Sequence, residues 1–206
     1  YSSINISEGI GIYHDNKKSV FFDSVSPGKF YEKTNLHAGT LAIEISFNKE
    51  KIFTNCGSLE TSFGNKPDYL KYSAAHSTII LDNTNISEIK GIGSFKKYPK
   101  LVEINQFEDE NFFIIEGIHD GYGAKYGILT KRKIKINKTL NEVSGEDTLV
   151  SKKLIGKNKL TYSIRFHLPP AITCNLTNNK KSIIMKSKKN LVYIFESNNE
   201  LSIENS

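Results

Sequence analysis

The chain has no tryptophan, one methionine and two cysteines in 206 residues. Cys56 and Cys174 show neither metal nor redox spacing and read as small buried hydrophobes. Arginine is scarce as well: among 28 basic residues only Arg132 and Arg165 are arginine. No apolar run approaches the ~20 residues needed to cross a bilayer, so no membrane span is expected. The opening YSSINISEGIGIYHD has no basic stretch leading into an apolar one, and no signal peptide is read in it. It also lacks an initiator methionine, and the chain reads as a piece of something longer.

What is present is lysine. Net charge is +6 and the isoelectric point is near 9.1. A nucleic-acid partner is not expected, because phosphate and base recognition favour the arginine fork and no helical pattern is available to enter a groove. The charge reads as a solvated surface, with an acidic polymer as the ligand it would suit. Hydrophobic residues at 38% and charged residues at 24% exclude a disordered or fibrous chain. A mass of 23.2 kDa is enough to bury a core as one domain over residues 1–206.

The apolar pattern has period two almost throughout. Residues 41–47 alternate cleanly, and similar runs occupy 101–107, 112–118, 133–136, 160–168, 183–186 and 191–196. Polar turn signals at 48–50, 109–111, 178–180 and 188–190 separate them. Short strands with such punctuation predict an all-β chain, an antiparallel β-sandwich of two stacked sheets with little or no helix. One helical turn at most is expected, over 67–71.

Five histidines carry the candidate chemistry. His14 reads as a turn residue. His37 sits at the start of a strand, followed by small residues that let another group approach. His76 precedes the apolar strand 78–81, and Asn55-Cys56-Gly57 lies between the two in sequence. Two imidazoles at strand edges with a side-chain oxygen or thiol between them suit zinc. The competing reading is a hydrogen-bonded structural cluster of His37, Asn55 and His76. Further on, His119-Asp120-Gly121-Tyr122 makes a tight turn. Arg165 and His167, two apart, share a strand face.

Four stretches in order, HAGTLAIEISFNKEKIFTNCGS, YSAAHSTIILDNT, GIHDGYGAKYGILTKRKIKI and YSIRFHL, resemble the C-terminal β-domain of heparinase II/III-like proteins, which look like bacterial polysaccharide lyases. The resemblance runs from about Phe21 to the end. It implies a C-terminal β-sandwich preceded in the full protein by a helical toroid, the active cleft lying between them. Carried over, the family's metal positions fall on His37, Asn55 and His76, with zinc as the cofactor. Asn55 stands where the family has aspartate, and Gly39 replaces the aspartate of a His-Ala-Asp motif. Asn35 falls where many members place a catalytic histidine. The His119–Tyr122 turn resembles a family turn, read as structural, with His119 and Tyr122 lining the substrate cleft as the alternative.

The implied reaction is β-elimination on a uronic-acid-containing polysaccharide, of heparan, alginate or another type. Quenching the uronate carboxylate makes the C5 proton acidic, a base removes it, and an acid protonates the leaving O4. Asn35 offers a hydrogen bond to that carboxylate but cannot shuttle a proton near neutrality. The remaining acid and base would come from the protein's own N-terminal helical domain, and the isolated piece is expected to be inactive. The implied compartment is the bacterial cell envelope or periplasm. The alternative from another class is a non-catalytic carbohydrate-binding or scaffold β-sandwich, with tyrosines substituting for the missing tryptophan.

Overall fold

The computed structural model describes residues 9–29, 36–57, 69–91, 94–151 and 160–204. These residues form fifteen strands, all paired antiparallel, one four-residue α-helical turn, α1 (Gly123–Tyr126), and three-residue 3-10 turns at Pro27–Lys29, Tyr69–Lys71 and Ser73–Ala75. The all-β expectation holds. Among the described residues no helix is long and apolar enough to cross a membrane. The chain divides into two compact units, Tyr1–His167 and Leu168–Ser206.

The first unit is built on two four-stranded sheets. One joins β1 (Ile10–His14), β2 (Lys18–Asp23), β3 (Ile43–Phe47) and β4 (Glu50–Phe53) in that order. The other orders β11 (Val143–Ser151), β10 (Ile128–Asn137), β9 (Phe112–His119) and β8 (Val102–Glu108). Two short ladders complete the unit: β5 (Ile79–Leu81) with β12 (Tyr162–Ile164), and β6 (Glu88–Gly91) with β7 (Ser94–Lys97).

Burial alternates residue by residue along β9 and β10. Their register puts Phe113, Ile115, Gly117 and His119 on the same face as Ile128, Thr130, Arg132, Ile134 and Ile136. That face meets the inner face of the other sheet. Tyr13 stacks on Phe113 at 5.3 Å between ring centroids. A Cβ at Gly117 would lie 2.5 Å from Leu41 Cδ2 and 2.8 Å from Phe22 Cε1. Glycine there is the flat spot that lets the two layers close. Each fully buried phenylalanine or isoleucine contributes about 1.5–3 kcal/mol, so this interdigitation holds the sandwich together.

Charged side chains also sit inside it, Arg132 among them. Arg132 is 1% exposed, yet each of its three guanidinium nitrogens is hydrogen-bonded. Nε and Nη2 donate to Asp147 Oδ1 and Oδ2 at 2.7 and 2.8 Å, and Nη1 donates to the Leu41 and Ser77 carbonyls at 2.9 and 2.6 Å. The fork ties β10 to β11 and reaches across to two loops of the candidate site.

Strand ends differ from the sequence pattern where the backbone turns. The run at 41–47 becomes a strand only from Ile43, because Leu41 takes φ +61° and its N–H donates to the Asp23 carbonyl. His37 therefore lies in the loop before β3. In the run 160–168, only Tyr162–Ile164 is strand. The helical turn near 67–71 is a 3-10 turn at Tyr69–Lys71.

The second unit is a meander of β13 (Thr173–Leu176), β14 (Ser182–Lys186) and β15 (Val192–Glu196). Its register places Cys174, Met185 and Tyr193 on one face and Ile184, Val192 and Ile194 on the other, where all three are exposed.

Candidate functional site

Three segments and one histidine meet beyond the ends of β3 and β4. The loop around His37 is tied down by Ala38 N–H donating to the Lys71 carbonyl at 2.8 Å and Ser73 Oγ donating to the Ala38 carbonyl at 2.6 Å. Cys56 N–H donates to the Ala75 carbonyl at 3.0 Å, and Thr54 N–H to the His167 carbonyl at 3.0 Å. Ser77 locks the junction: its Oγ donates to the Thr54 carbonyl at 2.8 Å and accepts from His167 N–H at 3.0 Å. Residues far apart in sequence are thus brought side by side.

The His37 and His76 rings lie 5.1 Å apart between centroids, edge to face at 61°. His76 is 5% exposed and His37 half-buried. Burial, then the neighbouring His37 and His167, hold His76's pKa down at about 4, against an opposing hydrogen bond that the ring donates to the Leu70 backbone. Its Nε2 is buried with no hydrogen-bond partner among the described residues. Gly39 backs the ring, since a Cβ there would lie 2.9 Å from His76 Cγ. This is the close approach that the small residues after His37 permit.

Asn55 reaches the same cluster as a hydrogen-bonded strut. Its Oδ1 accepts from Ser77 N–H at 2.9 Å, and its Nδ2 donates to Glu44 Oε1 at 3.2 Å. The two ends fix the amide's orientation independently, because a backbone N–H only donates and a carboxylate only accepts. The zinc expected from the resemblance does not fit this donor set. Two neutral imidazoles and an amide bring no negative charge to a dication, and the amide oxygen is already engaged. Among the described residues no three His, Cys, Asp or Glu side chains gather as metal ligands.

On the adjoining side, Cys56 Sγ lies 3.4 Å from His167 Nδ1, and His167 Nε2 lies 2.9 Å from the Ala74 carbonyl. A carbonyl only accepts, so Nε2 carries the proton and Nδ1 receives the thiol. Cys56 is exposed and Cys174 half-buried, so neither is the fully buried hydrophobe expected: Cys56 lies in the coil after β4 and Cys174 on β13, an outer strand of its three-stranded sheet. Burial lowers the pKa of the His167 imidazole too. Cys56 and Asn55, neighbours in sequence, thus engage different partners, as expected for consecutive positions of an extended segment.

The His119–Tyr122 turn is separate and closed. Both residues are 0% exposed. His119 Nδ1 accepts Gly121 N–H at 3.0 Å, which leaves the proton on Nε2, buried without a partner among the described residues. Burial, with Arg132 second, holds its pKa at about 3. The Tyr122 hydroxyl lies 3.0 and 3.1 Å from the Ile79 and Thr84 carbonyls, and burial pushes its phenol upward. As the structure stands, both side chains act as turn and core groups, and neither presents surface to a substrate. Asn35 lies outside the described residues.

Sequence reasoning misses Glu44, Ser77, Arg132 and Asp147, which position the cluster. It also misses Asp23 at the end of β2, whose backbone pairs with Leu41 and Ala42 and whose carboxyl burial raises to about 7. Arg132 carried a signal: it is one of two arginines and occupies an inward position of an alternating strand. Glu44 carried none, being an ordinary outward residue of β3.

FtsZ-localized protein C of Caulobacter vibrioides is 25% identical over 170 residues, covering 76% of this chain. The chain spans 29% of that relative's length. The model of the heparinase II/III-like C-terminal family matches residues 7–206, and the chain belongs to that family.

Proposed function

We propose that the chain is the β-sandwich wall of a polysaccharide lyase that cleaves uronic-acid-containing polymer by β-elimination. The family match over residues 7–206 is the observation that carries this reading. The His37–His76 edge then serves binding rather than proton transfer. With its pKa near 4, His76 is neutral at neutral pH and offers no imidazolium. His37, half-buried beside it, is the member with access to a ligand, and it supplies hydrogen bonding to the uronate carboxylate together with Asn35. No step runs through zinc. An N-terminal helical domain provides the acid and base, and the setting is a bacterial envelope or periplasm.

A second reading is a non-catalytic carbohydrate-binding or scaffold sandwich. Two observations favour it: Asn55 is a strut rather than an acidic ligand, and the matched relative is named for localisation with FtsZ. The test is incubation of the full-length native protein with heparan-, alginate- and other uronate-type polymers. Ultraviolet absorbance of an unsaturated uronate supports the lyase. Retention on an acidic-polysaccharide column without that product supports the binding module. Neither product nor retention on any of these polymers removes the lyase and the carbohydrate-binding module, leaving the scaffold.

A further inference from the structure

We infer that Glu44 sets the chemistry of position 55: its carboxylate selects an amide there, so that Asn55 clasps β3 to the Ser77 turn in place of an acidic metal ligand. This holds whether or not the protein cleaves a polymer.

Glu44 Oε1 accepts twice from Asn55, from the backbone N–H at 3.3 Å and from Nδ2 at 3.2 Å. The other oxygen, Oε2, faces Lys51 Nζ at 3.7 Å, an exposed lysine that screens it only partly. A bulge between Ile45 and Ser46 in the β3–β4 pairing shifts the register just where β4 ends, which is how such bulges re-aim a strand end. On the far side Asn55 Oδ1 holds Ser77 N–H. Ser77 in turn holds Thr54 and His167, and its own carbonyl takes Arg132 Nη1.

An aspartate at 55 would keep the Ser77 bond with one oxygen. Its other oxygen would then face the Glu44 carboxylate at about the present 3.2 Å, an acceptor against an acceptor and a charge against a like charge. Glu44 does not replace the lost ligand either, since its oxygens are committed to Asn55 and Lys51. The His37–His76 edge therefore rests on a hydrogen-bonded floor with no acidic side chain at position 55.

The test is a double-mutant cycle on the full chain, read by thermal unfolding: wild type, Asn55→Asp, Glu44→Gln and both together. Asn55→Asp is expected to lower the midpoint by on the order of 5 °C. In the Glu44→Gln background the same change should cost less than half of that, because the glutamine amide donates to the new carboxylate. Equal costs in the two backgrounds overturn the inference. If Asn55→Asp does not fold beside Glu44, the double variant decides: folding supports the inference and failure overturns it. A second arm adds zinc ion to the wild-type chain, or removes it by chelation. An unchanged midpoint is expected. A rise of several degrees with one zinc per chain overturns the inference.

Discussion

Two histidine clusters in the first unit share a residue type and a weakened base, but they differ in what lies beside the ring. His119 is sealed between the sheets, its Nδ1 filled by Gly121 N–H and its second electrostatic influence the permanent cation of Arg132. His76 is nearly as buried, yet its second influence is His37, a half-buried imidazole. Burial alone therefore produces a neutral histidine, and a depressed pKa does not by itself mark a functional one. Access separates the two. In the interior cluster His119 and Tyr122 have no contact with solvent, whereas the edge cluster is reached through the half-buried His37.

Arg132 touches both sides of the comparison, and removing it gives the largest effect. Arg132→Met leaves Asp147, 12% exposed at its side chain, without its partner, and strips the donor from the Leu41 and Ser77 carbonyls. Breaking a buried pair from one side costs about 3–5 kcal/mol. Urea unfolding should show that loss, with the edge cluster loosened through Ser77. A loss under about 1 kcal/mol, the scale of an exposed pair, would mean that the fork does not bind the two clusters into one unit.

The next effect is acid sensitivity of the interior cluster. His119 has a folded pKa of about 3 against an ordinary value of 6.5. The unfolded chain thus binds a proton that the folded chain refuses. Stability from this group is complete above 6.5, falls as pH drops below it, and levels off only near 3. The slope is about 1.4 kcal/mol per pH unit for one proton. His119→Gln, which keeps an acceptor for Gly121 N–H, should flatten the stability profile between about pH 6 and 4 by about that slope. An unchanged slope in urea titrations across that range would show that His119 is protonated in the folded protein.

How much of this was legible depends on what each residue packs against. The run at 112–118 announced β9, because apolar residues fill its inward positions. β10 was legible only at 133–136, although the strand is Ile128–Asn137. Thr130 and Arg132 occupy inward positions, and a polar residue there hides a strand from any hydrophobic count. β11 was missed altogether, since its residues are half-buried or exposed and its pattern VSGEDTLVS carries little apolar weight. For the site, the pairing of His37 with His76 was legible from the resemblance and is present in the fold. The Glu44–Asn55–Ser77 clasp was not, because it depends on a bulge and a loop hydrogen bond that no local spacing encodes.

A local effect is expected at the His37–His76 edge alone. Gly39 has no room for a methyl group: a Cβ would lie 2.9 Å from Cγ and 3.0 Å from Nδ1 of His76. The ring cannot retreat freely, because His76 is itself buried and the chain on either side of the contact, at Ala38 and Ala75, is 0% and 8% exposed. Gly39→Ala should therefore cost about 1–3 kcal/mol as overpacking and displace the His76 ring. The readout is local. Imidazole NMR resonances of His76 and His37 should shift, while those of His119, on the far side of the Arg132 fork, stay where they are. If His119 moves as much as His76, the two clusters respond as one body and the separation drawn between them is wrong. If only the edge responds, the small residue after His37 is there to seat His76.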